Sequence, residues 1–76
     1  MKTVPFQLRG YKDAFLLKDE HGGCVGTISR FGRGCPWETW FGLGAESRHV
    51  GNFTKKQTAI SAIELLSLAI KGEENG

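Results

Sequence analysis

Thr54 to Lys71 reads Thr-Lys-Lys-Gln-Thr-Ala-Ile-Ser-Ala-Ile-Glu-Leu-Leu-Ser-Leu-Ala-Ile-Lys, 18 residues without a glycine or a proline. The apolar spacing predicts a helix. At 100° per residue, Ala59, Ala62, Ile63, Leu66 and Ile70 fall on one stripe, and Ile60 flanks it. Gln57, Ser61, Glu64 and Lys71 fall on the opposite face. Thr54 suits the N-cap, Lys71 complements the C-terminal dipole, and Gly72 is expected to stop the helix. Residues 73–76 then read as a flexible tail beyond a single domain over residues 1–72. Leu68 sits among the polar positions and Leu65 lies beside them. They read as two scattered surface leucines or, as i, i+3 neighbours, as a candidate partner or dimer patch.

Upstream, the periodicity changes to two. Val4, Phe6 and Leu8 alternate with polar residues and predict a strand, which Pro5 places at an edge or makes start late. Ala14–Lys18 predicts a second strand. Asp19–Gly23 reads as a hairpin turn because its glycines accept positive φ. Cys24–Phe31 returns as a third strand, with Val25, Thr27, Ser29 and Phe31 on one face and Ile28 and Arg30 on the other. After a turn at 32–36, Trp37–Leu43 predicts an aromatic strand with Trp37 and Phe41 on one side and Trp40 on the other. Arg48–Phe53 is a short last strand or the lead into the helix. Strands first and one long helix last define an α+β fold, an antiparallel sheet of three to five strands packed on one long C-terminal helix. The helix covers one face. Trp40 then lies on the other, exposed to a partner or covered by a loop or the N-terminal segment.

Composition narrows the function. With 76 residues there is room for one small core, and the 11 glycines fit many tight turns. Ten Lys plus Arg against eight Asp plus Glu give +2, a mild charge for a nucleic-acid binder. No apolar run is long enough for a membrane helix, and the first residues lack the apolar core of a signal peptide. The expected location is the cytosol, that of the host if the protein is phage-encoded, with Cys24 and Cys35 as reduced thiols.

Chemistry-bearing motifs are few. His21, Cys24, Cys35 and His49 follow an H-x2-C-x10-C-x13-H spacing that contains no zinc knuckle, so no metal is expected. A Cys/His pair exists, but no motif sets a nucleophile beside a base, and the reading is a protein that is not an enzyme. Gly32-x-Gly34 and Gly42-x-Gly44 continue to neither a dinucleotide fingerprint nor a P-loop, so no cofactor is expected. Arg30 and Arg33 surround the flexible Gly32–Gly34 turn. Lys55 and Lys56 open the helix, where free amides favour an anion.

The segment His49–Ile63, His-Val-Gly-Asn-Phe-Thr-Lys-Lys-Gln-Thr-Ala-Ile-Ser-Ala-Ile, resembles the sheet-to-helix junction of the small ββ(β)α DNA-binding domains of phage-type tyrosine integrases and plant ethylene-response factors. Gly51 lets the chain bend, Phe53 anchors the helix start, and Ala59 and Ala62 allow close helix–sheet approach. The family's threonine falls at Lys55, one residue after Thr54. The resemblance implies recognition through the exposed sheet face, for which Arg30, Arg48 and Trp40 are the candidates. The junction also resembles the last strand and helix of double-stranded-RNA-binding domains, whose first helix has no counterpart here. In size and style the chain is similar to small phage or prophage accessory proteins.

Two functions follow as expectations. In the first, duplex nucleic acid is contacted by Arg30, Arg33, Arg48, Lys55 and Lys56. In the second, Trp40, Leu65 and Leu68 form the surface of a stoichiometric inhibitor or modulator of a host or defence protein, in the style of anti-CRISPR or anti-restriction proteins. No membrane partner is expected, and the chain is a monomer or weak homodimer.

Overall fold

The computed structural model describes the backbone of residues 1–75 and the side chains of residues 1–70. Five strands, β1 (Lys2–Pro5), β2 (Asp13–Lys18), β3 (Cys24–Arg30), β4 (Trp37–Phe41) and β5 (Arg48–Phe53), precede one helix, α1 (Lys56–Asn75). A short 3-10 turn, Gly44–Glu46, separates β4 from β5. The strands form one antiparallel sheet in the order β1-β2-β3-β4-β5, with α1 against β3, β4 and β5. The fold is α+β, an antiparallel sheet packed on a C-terminal helix.

Register assigns the two faces. Phe15 pairs with Ile28, Ile28 with Thr39, Leu17 with Gly26, and Trp37 with Phe53. Together with Phe41 these positions face the helix. Leu17, Ile28, Trp37, Ala59, Ile60 and Ile63 make the buried core. Ile63 is fully buried, and its Cδ1 would lie 3.2 Å from a Cβ added at Gly26. Gly26 therefore lets the helix approach the sheet closely. The opposite face carries Leu16, Thr27, Trp40 and His49 in one row and Ala14, Ser29, Glu38 and Asn52 in the next.

The hairpin at 19–23 forms as its residues predict. The Asp19 carboxylate accepts the amides of His21 and Gly23, each at 2.9 Å, and Gly22 takes φ +82°. Several boundaries move. The first strand ends at Pro5, because the chain then turns over the open sheet face, although the Phe6 amide still donates to the Ala14 carbonyl at 3.1 Å. The aromatic strand ends at Phe41, where Gly42 at φ +89° turns the chain and donates to the Val25 carbonyl. Val25 leaves the face of Thr27 and Ser29, because a register shift opposite Leu17 and Lys18 makes it the extra residue and packs it against the core.

The helix also differs from its expected bounds. The Ala59 amide donates to the Lys55 carbonyl, so Lys55, not Thr54, immediately precedes the first helical residue. The helix passes through Gly72 to Asn75. The expected tail over 73–76 thus has helical backbone at 73–75, and Gly76 lies outside the described residues. A helix of 20 residues spans about 30 Å, whereas a strand of six spans about 20 Å. The stripe consequently outruns the sheet. Leu66 and Ile70 remain 37% and 40% exposed, although they share the face that buries Ala59 and Ile63.

Candidate functional site

The meander gathers basic residues at one end of the sheet. That end holds the start of β2, the end of β3, the start of β4 and the end of β5, because Asp13 pairs with Arg30 and Trp37 with Phe53. The Lys12 amide donates to the Arg30 carbonyl at 3.1 Å and brings Lys12 to the same end. Arg33 lies in the β3–β4 turn, and Lys55 and Lys56 open the helix immediately after β5. Five of the ten basic residues, Lys12, Arg30, Arg33, Lys55 and Lys56, thus share one end with Asp13 and Glu38. Asp19, Glu20, Glu46 and Glu64 lie towards the other. Arg48 also lies there, opposite Phe41, apart from the other four basic candidates.

These cations are not equivalent. Arg30 Nε donates to Asp13 Oδ2 at 2.7 Å, and the guanidinium lies 4.6 Å from the centroid of Trp37. Lys56 Nζ lies 3.8 Å from the centroid of Phe15. Both side chains brace the fold, with aromatic faces stabilising their charge. Arg33 and Lys55 are exposed and make none of the described ion pairs. The first turn of α1 carries no acidic residue, and its first amides have no acceptor within the helix. This end is therefore suited to anionic oxygens.

The open sheet face is partly roofed. Tyr11 stacks on Phe31 with centroids 4.4 Å apart and planes 15° apart, and the segment before β2 leaves Ala14 and Ser29 almost fully buried. Partial burial, reinforced by a hydrogen bond to the Glu38 carboxylate and by its charge, pushes the Tyr11 hydroxyl above its ordinary pKa. Glu38 Oε2 is buried and has no hydrogen-bond partner among the described residues. Trp40 is half-buried and tilts against His49 with centroids 5.0 Å apart, and His49 Nε2 lies 3.0 Å from Asn52 Oδ1. Leu8, Tyr11, Thr27, Ser29, Trp40 and Leu43 line a shallow cleft of about 270 Å³.

Trp40 is therefore on the face away from the helix, whereas Leu65 and Leu68 are on the helix, 68% and 65% exposed. The three candidate partner residues do not make one surface. A second groove, of about 910 Å³, runs between α1 and β5, with Phe41, Val50, Leu66 and Ile70 as its apolar lining and Glu46 and Arg48 at its rim. Sequence reasoning missed this groove and the Tyr11–Phe31 stack. Only the position of Ile70, about 21 Å along the helix and so past the roughly 20 Å of a six-residue strand, signalled the groove. Among the described residues, no group of three or more His, Cys, Asp or Glu side chains converges to hold a metal, and no helix is long and apolar enough to cross a membrane. Cys24 and Cys35 are free thiols.

Comparison with family models, with curated proteins and with solved structures found no match.

Proposed function

We propose that this chain is a non-catalytic nucleic-acid-binding domain, in the manner of small phage or prophage accessory proteins, that sets its basic end on the phosphate backbone of a duplex. One observation carries the reading. The turn bearing Arg33 and the helix start bearing Lys55, 22 residues apart in sequence, lie at the same end of the sheet, and their charges enter none of the described ion pairs. Exposed cations and free helix amides on one surface are what phosphate oxygens require. The resemblance of the His49–Ile63 junction to DNA-binding domains supports the same assignment. Arg30 and Lys56 contribute field from braced positions, and Arg48 lies outside the contact.

Fluorescence anisotropy of a labelled generic duplex, measured from low to physiological salt, tests this. Binding should weaken steeply with salt. Arg33→Ala with Lys55→Ala should flatten the log–log salt slope by about 1.8, at roughly 0.9 per phosphate contact. Arg48→Ala should leave affinity and slope unchanged. No binding at low salt, or a double variant that binds like the parent, would refute the assignment.

Leu65 and Leu68 favour a second reading, in which the outer helix face holds a host or defence protein. They are the two most exposed large apolar side chains of the described residues. Under that reading Leu65→Ser with Leu68→Ser abolishes partner capture and leaves duplex binding unaltered.

A further inference from the structure

The groove between α1 and β5 lies along a free sheet edge. The two edges of the sheet are unequally guarded. β1 has four residues and carries Lys2 and Pro5, which discourage pairing with another strand. β5 has six residues, Arg48–Phe53, with neither lysine nor proline. A bulge at Val50 twists it locally and turns Val50 into the groove. Above that edge Leu66 and Ile70 continue the stripe that packs on the sheet, with no strand beneath them to cover them fully. A sixth strand beside β5 would do so.

We infer that the occupant is a second copy of this chain, with β5 pairing antiparallel to β5 about a two-fold axis near Val50–Gly51 to form one continuous sheet. Charge complementarity favours this occupant. Glu46 ends the 3-10 turn two residues before β5, and Lys55 lies two residues after it. Antiparallel pairing sets the start of one strand against the end of the other. Within β5 the residue numbers of partners then sum to 101, and just beyond the paired strands Glu46 of one copy comes to the same end as Lys55 of the second, twice per dimer. Arg48 meets Phe53 and His49 meets Asn52, so no like charges oppose.

The apolar geometry agrees. α1 runs back along β5, and Leu66 lies 11 residues after Lys55. That is about 16 Å at 1.5 Å per residue, the length of about five strand residues. Leu66 therefore lies level with Val50, which lines the same groove. The two-fold axis brings it against Leu66 of the second copy and closes both grooves at once. The inference stands apart from nucleic-acid binding. Lys55 would serve both uses in competition, so the dimer is measured without nucleic acid.

Sedimentation velocity over about 1–200 µM brackets a weak dimer. The wild-type chain should pass from monomer to dimer. Glu46→Lys and Lys55→Glu should each raise the dissociation constant about tenfold, because two attractive pairs become repulsive. An equimolar mixture of these two variants should regain wild-type affinity. In the mixed dimer the introduced lysine of one chain faces the introduced glutamate of the other, and the retained Lys55 faces the retained Glu46. Leu66→Lys, at an exposed position, should keep the circular dichroism of the fold and abolish the dimer. A wild-type chain that stays monomeric throughout, or a dimer indifferent to both charge reversals, would overturn the inference. So would a mixture no tighter than either variant alone.

Discussion

Gly26→Ala should destabilise the fold, against the usual sign for such a change. A glycine inside a strand ordinarily weakens it, and replacement by alanine ordinarily gains about 0.5–1 kcal/mol. Gly26 lies in β3 on the helix-facing side, between Leu17 and Phe41. A Cβ built there meets the Trp40 carbonyl oxygen inside contact distance and Ile63 Cδ1 at 3.2 Å. The oxygen belongs to the neighbouring strand and cannot rotate away. Relief must come from spreading β3 from β4 or lifting α1. Overpacking of this kind costs roughly 1–3 kcal/mol. A chain of 76 residues has a total stability of roughly 4–11 kcal/mol. At about 2 kcal/mol the melting temperature falls by roughly 8–16 °C. Gly32→Ala supplies the control, since nothing lies within 4 Å of its added Cβ and its φ is not positive. It should be neutral or gain a few tenths of a kcal/mol. Urea and thermal unfolding followed by circular dichroism read both variants. If Gly26→Ala melts at or above the parent temperature, the helix does not seat on β3 as described.

Two more outcomes follow from packing and titration. Ile63→Ala removes a fully buried side chain from the helix–sheet contact and should cost about 2–5 kcal/mol, read as a lower urea midpoint with an unchanged slope. Tyr11 is the sole tyrosine, so ultraviolet titration of tyrosinate reports it directly, and the midpoint should lie above 10.0. The folded state holds that proton more tightly than the unfolded state. Its contribution to stability is therefore complete below pH 10.0 and is lost as pH rises through the folded midpoint. Glu38→Gln should lower the midpoint without restoring the free value, because burial is the larger cause. A parent midpoint at or below 10.0 would contradict the roofed position of Tyr11.

The helix was legible because its signal is local and repeated. A 3.6-residue stripe bounded by Phe53 and Lys71 leaves little alternative. The Trp37/Phe41 and Trp40 division was legible for the same reason, since alternation assigns faces without knowledge of the partner strands. Where the sequence misled, non-local contacts decided. Phe6 and Leu8 continue the alternation of Val4, but the chain leaves the ladder at Pro5 to roof the open face. Val25 alternates correctly with Thr27, yet a register shift moves it to the core. Gly72 carries a stop signal, but the helical backbone continues past it. For the site, composition counted the cations but did not place them. Arg30, Arg33, Lys55 and Lys56 meet because a five-strand meander returns β5 to the end where β3 finishes, whereas Arg48 falls at the other end of the same strand.

The helix start separates what serves the fold from what serves a ligand. Lysines at the first turn oppose the helix dipole, at roughly 0.3–1 kcal/mol each. Lys56 recovers this on the Phe15 ring, where a cation gains about 0.5–1 kcal/mol, so stability alone explains it. Lys55 is exposed and makes none of the described cation–π contacts or ion pairs, so stability does not explain it. Lys55→Glu should therefore raise the melting temperature, measured at low protein concentration where the chain is monomeric, by a few degrees for a gain of up to about 1 kcal/mol. The same change should weaken duplex binding by more than the loss of one phosphate contact, because a carboxylate then faces the backbone. Gain in one assay with loss in the other is the signature of a residue kept for binding at a cost in stability. A variant that melts lower than the parent gives Lys55 a structural role, and one that binds duplex unchanged removes the helix start from the interface.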